Sequence, residues 1–382
     1  MTQIFFLEDY IMTITKKAAL LVTAIGMIFT TQVTELKAQA GGSAVPFLLI
    51  SPDARGSGMG ETGTATTNDI NAVYWNPAGL AFLDYFETYD DFFDQEPELV
   101  PYRQVALSFS PWLPQFNADL FYSYGTIGQY FEQLDGTVAF NFIFMNLGEF
   151  TRRADNGQEL GRFTSNEFSL GISYGTIIAP DLGVGFQLRY IQSNLTPTSS
   201  QTGGEAGTGV SASFDLGVQW KPQNLGGFLD DNVSLGFNLQ NVGPKITYIK
   251  ESDPLPTNLR LGAGYELVED EFNQLIVALD FSKLLVKRDS TGSDPLPKSL
   301  VSGWENAGAE WAFGMEYWYD KVVALRAGYF TEPSSTGGRK YWNFGAGVRY
   351  DIFSLDFSFI NTIEENHPLA NTMRFSMLID WQ

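Results

Sequence analysis

The chain has no cysteine among its 382 residues, a single histidine, and only 23 Lys and Arg against 44 Asp and Glu. Without cysteine there is no disulfide, thiolate nucleophile or cysteine-ligated metal. The one histidine, His367, precedes a proline in the connection near 362–370, where metal ligation or general-base catalysis lacks partners. A formal charge of -21 with no basic stripe argues against nucleic acid, which needs a cationic footprint. Beyond the first forty residues no stretch approaches the roughly eighteen uninterrupted apolar residues of a membrane helix.

What the chain has instead is a period of two, sustained from about Val105 to Trp381. From Val210 to Trp220, Ala212, Phe214, Leu216, Val218 and Trp220 share one face, and Ser211, Ser213, Asp215 and Gln219 the other. Segments of about ten residues are long for a soluble sheet and suit a tilted strand crossing a bilayer. Fourteen candidates lie near 104–111, 117–125, 136–146, 167–177, 183–193, 210–220, 232–241, 258–267, 273–281, 308–317, 322–330, 342–350, 353–361 and 371–381. The expected fold is all-β: a transmembrane antiparallel barrel of about fourteen strands over residues 101–382, with an N-terminal plug over 41–100 that includes an acidic linker.

Connection lengths test the count, because an outer-membrane barrel alternates long outer loops with short periplasmic turns. Connections near 147–166, 194–209, 242–257, 282–307, 331–341 and 362–370 are long, whereas those near 178–182, 268–272, 318–321 and 351–352 are short. The alternation fails at the first two links and at 221–231. The polar face carries Gln187, Arg189, Asp215, Gln219, Asn238, Gln240, Arg260, Glu266, Glu310, Glu316, Arg326, Arg349, Asp356 and Arg374. Such mixed signs suit internal pairing across a lumen better than a pore selective for one charge.

The N-terminus supplies the compartment. Lys16 and Lys17 precede an apolar run from Ala18 to Phe29 and a small-x-small site at Ala38-Gln39-Ala40, so residues 1–40 read as a signal peptide, with Met12 an alternative start. The expected location is the outer membrane of a Gram-negative cell, with lipid around the barrel and loops facing the cell surface. Ahead of the first strand, Phe47, Leu48, Ile50, Tyr74, Trp75 and Phe82 make the chain too apolar for a free tail. Asn68 or Asp69 can cap a short helix to about Tyr74, ended by Asn76-Pro77. These residues are expected to fill the barrel mouth.

Ala54-Arg55-Gly56-Ser57-Gly58-Met59-Gly60, followed by Tyr74-Trp75-Asn76-Pro77-Ala78-Gly79-Leu80-Ala81, resembles the N-terminal hatch of FadL-like outer-membrane proteins. Ser51-Pro52-Asp53-Ala54-Arg55, Ser110-Pro111-Trp112-Leu113, and Leu147-Gly148-Glu149-Phe150 with Asp155-Asn156-Gly157 and Asn166-Glu167-Phe168 resemble the PorV family of type IX secretion. The resemblance implies a non-enzymatic role. A member works with a SprA-like translocon, takes cargo by its C-terminal β-sandwich signal domain and carries it to a PorU-like sortase and attachment complex. It also singles out Ser51, Pro52, Asp53, Ala54, Arg55, Gly58, Gly60, Tyr74, Trp75, Asn76, Pro77 and Ala78 as a plug motif with a structural or gating role. The other reading is a FadL-like transporter of hydrophobic small molecules, which needs an apolar channel behind the plug.

Several sharper readings fail on chemistry. Gly56-Ser57-Gly58-Met59-Gly60 lacks the Lys-Ser/Thr of a phosphate loop, and nothing else suggests a cofactor. The acidic stretch from Asp84 to Glu98 lacks the spacing of a calcium loop and is open between partner docking, calcium and a solvated linker. Glu364-Glu365 and Asp90-Asp91 have no burial to separate their pKa values, so they are not acid/base dyads. A hydrolase triad has no suitable histidine.

Overall fold

A computed structural model describes residues 42–83, 85–88 and 98–381, apart from 117–118, 155, 197–206, 224, 227–228, 230, 250, 290–291, 306–307, 335–336 and 366. The signal-peptide reading and most of the acidic stretch fall outside the described residues. Fourteen antiparallel strands close into one barrel. They are β1 (Arg103–Pro111), β2 (Phe121–Phe131), β3 (Gly136–Arg153), β4 (Glu159–Ala179), β5 (Leu182–Thr196), β6 (Gly207–Trp220) and β7 (Val233–Val242). The second half is β8 (Asn258–Glu269), β9 (Asn273–Leu284), β10 (Glu310–Tyr319), β11 (Val323–Thr331), β12 (Lys340–Tyr350), β13 (Phe353–Thr362) and β14 (Met373–Asp380). Closure runs through β14 and β1, from Phe375 opposite Phe109 to Asp380 opposite Gln104.

The barrel is inside-out by the standard of a soluble sheet. On β6, Ser213, Asp215 and Gln219 point inward and are buried, whereas Val210 (52% exposed) and Leu216 (42% exposed) point outward. Outward aromatic pairs such as Phe186–Phe214 and Phe357–Phe375 tie neighbouring strands across the belt. A closed apolar belt satisfies every backbone group within the sheet, which lipid requires. No helix among the described residues is long and apolar enough to cross a membrane.

Two sequence expectations need correction. The second strand begins at Phe121, four residues later than its pattern suggested, because Tyr122 and Tyr124 face inward while Phe121 and Ile127 face outward, blurring the alternation. The first link therefore becomes long (112–120) and the second short (132–135), which restores the alternation there. The connection expected over 147–166 is mostly ladder: β3 and β4 continue to Arg153 and Glu159. Both faces of that extension are in solvent, so its sequence carries no burial pattern. At the short-turn end, Asp320 and Lys321 have φ of 52° and 54°, a left-handed pair closed by the Val322 N–H donating to the Tyr319 carbonyl.

Residues 42–83 occupy the lumen. A 3-10 turn (Pro46–Leu49), helix α1 (Ala54–Gly58), helix α2 (Ala72–Trp75) and a second 3-10 turn (Pro77–Phe82) follow one another without a strand. Buried apolar contacts lie between this segment and the wall: Phe47 and Leu48 against Tyr122, Ile143 and Ile191 toward the long-loop end, and Ile70, Val73 and Leu80 against Ala106, Ala139 and Leu378 further down. A short hairpin, Tyr85–Thr88 with Glu98–Pro101, links the plug to β1.

Candidate functional site: the plug and its lumen wall

The plug segment is poor in regular structure, so side chains set its path. The Asp53 carboxylate caps α1 by accepting the Gly56 N–H at 2.7 Å, and it also accepts the Trp75 indole N–H at 2.6 Å. One acid thus ties the two halves of the motif together. Trp75 is fully buried and packs over Gly56 and Gly63, where a Cβ would strike its indole. Asn76 stands extended and caps the second 3-10 turn through the Ala78 N–H, while its amide donates to the Thr64 and Val218 carbonyls. The helix expected from Asn68 or Asp69 starts later, at Ala72; Asp69 instead accepts the Asn71 N–H, and Asn68 and Asp69 both accept from Arg55.

Charge locks the plug to the wall. Arg55 donates from Nη2 and Nε to the two oxygens of Glu316 on β10 at 2.7 and 2.9 Å, a bidentate pair. Glu316 also accepts from Arg326 on β11 at 2.6 Å, and Arg326 reaches Asp356 on β13 at 2.6 Å. On β14, Arg374 donates to the Ser57 hydroxyl and lies 3.4 Å from Glu61. On β9, Asp280 accepts the Thr64 N–H and hydroxyl and the Gly63 N–H. Amides complete the clasp: Gln219, Asn238, Gln240 and Asn343 donate to the carbonyls of Ala65, Trp75, Tyr74 and Ser57. The wall is also cut to fit, for Gly328 of β11 lies against the backbone of Met59 and Gly60, and Gly185 of β5 lies against Pro77.

All twelve plug-motif residues belong to this assembly: Ser51, Pro52, Asp53, Ala54, Gly58, Gly60, Tyr74, Trp75, Asn76, Pro77 and Ala78 are buried and Arg55 half-buried. Of the lumen residues read from the sequence, Glu316, Arg326, Asp356, Arg374, Arg260, Gln219, Asn238 and Gln240 surround the plug, and Arg189 with Asp215 forms a separate pair at 2.7 Å. Glu266 and Arg349 bond other wall residues, Gln274 and Ser354. Sequence reasoning missed Glu61, Asp280 and Asn343, and marked Asp69 only as a cap and not as a partner of Arg55. Strand parity alone marks Asp280 and Asn343 as lumen-facing, whereas nothing local marks Glu61.

Above the plug, toward the long connections, lies a cavity of about 660 Å³. Its lining mixes apolar side chains, Phe47, Ile50, Trp112, Phe330 and Ile360, with charged ones, Glu61, Arg260, Asp280, Glu310, Arg339 and Arg374. Among the described residues no group of acids and histidine is arranged to hold a metal.

Burial, reinforced by the nearby Asp69 charge, pushes the Asp53 carboxyl up to about 6 from its ordinary 3.8. The docked plug therefore holds this proton over an interval in which the undocked chain has lost it. Asp53's own contribution to docking is fully present below about pH 4, is lost as pH rises toward 6 and is absent above that, a change on the order of 3 kcal/mol. Between pH 5 and 7.5 the wild-type plug should become easier to release with urea, as read by protease access to the N-terminal segment. An Asp53→Asn chain measured in parallel should lack that dependence; equal slopes in the two chains would refute the assignment.

A family model described as type IX secretion system protein PorV matches residues 34–291. No curated protein matches the sequence. Among solved structures, the chain is similar to the toluene transporter TbuX of Ralstonia pickettii, with a TM-score of 0.51 and 12% identity over 86% of this chain and 98% of that one. It is also similar to the monoaromatic hydrocarbon channel CymD, with a TM-score of 0.52 and 12% identity over 87% of this chain and 96% of that one. At such identity the likeness is one of fold.

Proposed function

Because the chain belongs to the PorV family of type IX secretion system proteins, an outer-membrane β-barrel component of that pathway, we propose that it is a cargo carrier. It receives secreted proteins by their C-terminal signal domain at a SprA-like translocon and delivers them to a PorU-like sortase and attachment complex. Residues 1–40 are removed on export, and the long connections face the cell surface, where both encounters take place. The observation that carries this reading is the plugged lumen: a barrel whose interior is clasped by Arg55–Glu316, Asp280 and four wall amides supports a role for its rim and loops rather than a conduit for a folded protein. The plug motif then acts as a structural bolt.

The test is an affinity purification of the tagged barrel from gently solubilised outer membrane, followed by mass spectrometry. Co-elution of a very large translocon barrel, a sortase-like protein or secreted proteins with C-terminal β-sandwich domains is the expected result. A barrel recovered alone, with an apolar small molecule in the cavity beside Phe47 and Trp112, would replace the carrier reading with transport.

A further inference from the structure

The motif Leu147-Gly148-Glu149-Phe150 lies where the β3–β4 ladder runs on past the neighbouring strands of the barrel. The ladder between β2 and β3 ends at Phe121 opposite Asn146, and that between β4 and β5 ends at Asn166 opposite Asn194. Beyond this level β3 and β4 pair only with each other, from Glu149 opposite Thr164 to Arg153 opposite Glu159. A bulge at Leu147 and Gly148, the latter at φ 82°, sets the extension off from the wall. The result is a two-stranded arm at the long-loop end that no third strand joins among the described residues.

Such a ribbon is marginal alone in water and gains stability from a third strand or a packed face. This arm offers both. Phe150, 47% exposed, stacks on Phe163 at 5.8 Å on one face. Along Glu149–Arg153, on the side away from β4, no described strand continues the sheet, so its outward N–H and C=O groups are a template for another strand. The charged side chains that usually guard an edge are partly neutralised within the arm, Glu149 with Arg162 at 3.7 Å and Arg153 with Glu159 at 3.2 Å.

We propose that the Glu149–Arg153 edge binds an extended strand of a partner β-sheet domain, which becomes the arm's third strand and covers Phe150 and Phe163. Resting on the carrier reading, the partner is the C-terminal β-sandwich of a secreted protein. An unpaired backbone edge selects a strand over a helix, and the phenylalanine pair selects a strand with apolar side chains on one face.

The test uses the full-length barrel in nanodiscs and, as probe, a purified C-terminal β-sandwich domain of a protein secreted by the same cell. The wild-type barrel should bind the domain, and the amides of residues 149–153 should gain protection from hydrogen exchange. Phe150→Ala with Phe163→Ala should weaken binding roughly tenfold or more. Replacing residues 149–164 by a two-residue turn should abolish it. Heat-modifiable migration in gels checks that each variant retains its barrel. Equal binding by wild type and arm variants, or binding without protection of the arm, overturns the proposal and leaves the carrier reading standing. Self-association of the barrel through the arm overturns it too. No binding by the wild type removes the carrier reading itself.

Discussion

Glu316→Ala should release the plug from a barrel that stays closed. Glu316 is fully buried and neutralises two guanidiniums at once, Arg55 from the plug and Arg326 from the neighbouring strand. Without it, Arg326 keeps Asp356 and Arg55 keeps only Asp69, at 3.2 Å, and Asn68. Removing one partner of a buried pair costs about 3–5 kcal/mol, because the remaining charge is stranded away from water. That cost falls on docking, since the strands are held by their own ladders. The absence of native cysteine makes the measurement clean. A thiol introduced by Val73→Cys, at a fully buried position in α2, should resist a maleimide in the otherwise wild-type chain. In Glu316→Ala it should react at least ~100-fold faster, the equivalent of about 3 kcal/mol. Glu316→Gln, which retains an acceptor for one guanidinium, should fall between. Unchanged labelling in a folded Glu316→Ala barrel would mean that the ion pairs do not hold the plug.

The parts of the molecule legible in the sequence are those that follow a local rule. Alternation on β6 set Asp215 and Gln219 inward and Leu216 outward because a strand in lipid has two chemically opposite faces. All fourteen strands were locatable this way, and β2 slipped only where aromatic residues occupy both faces. The plug was visible as apolar residues too numerous for a linker, and Asn76-Pro77 marked its helix end. What stayed hidden depends on meetings between distant segments. Asp280 holds Gly63 and Thr64 more than two hundred residues away, and only the closed barrel brings them together. Helix α1 was hidden for another reason: Ala54-Arg55-Gly56-Ser57-Gly58 has poor helix propensity and depends on the Asp53 cap. The β3–β4 arm has the sequence of a loop because a ribbon exposed on all sides has no burial to imprint a period.

Filling the wall glycines should open the lumen without harming the barrel. At Gly328 a Cβ would overlap the backbone of Met59 and Gly60, and Gly60 itself sits at φ 73° against the backbone of Phe313, Gly328 and Tyr329. At Gly185 it would overlap Pro77. A flexible side chain could turn aside, but here backbone faces backbone, so the plug must retreat. Overpacking of this kind costs 1–3 kcal/mol or more, while valine suits the strand itself better than glycine does. Gly328→Val should therefore lift α1 off β11, and Gly185→Val should lift the Pro77–Phe82 turn off β5, each in a barrel that still migrates as folded. In planar bilayers the wild-type chain should hold current near baseline, and each variant should show discrete conductance steps. The double variant should conduct most, because α1 and the Pro77–Phe82 turn grip opposite sides of the barrel and neither can substitute for the other. If both variants insulate as well as wild type while their plugs become accessible to protease, the lumen is closed by the loops above the cavity, and the plug is a scaffold for the wall rather than its stopper.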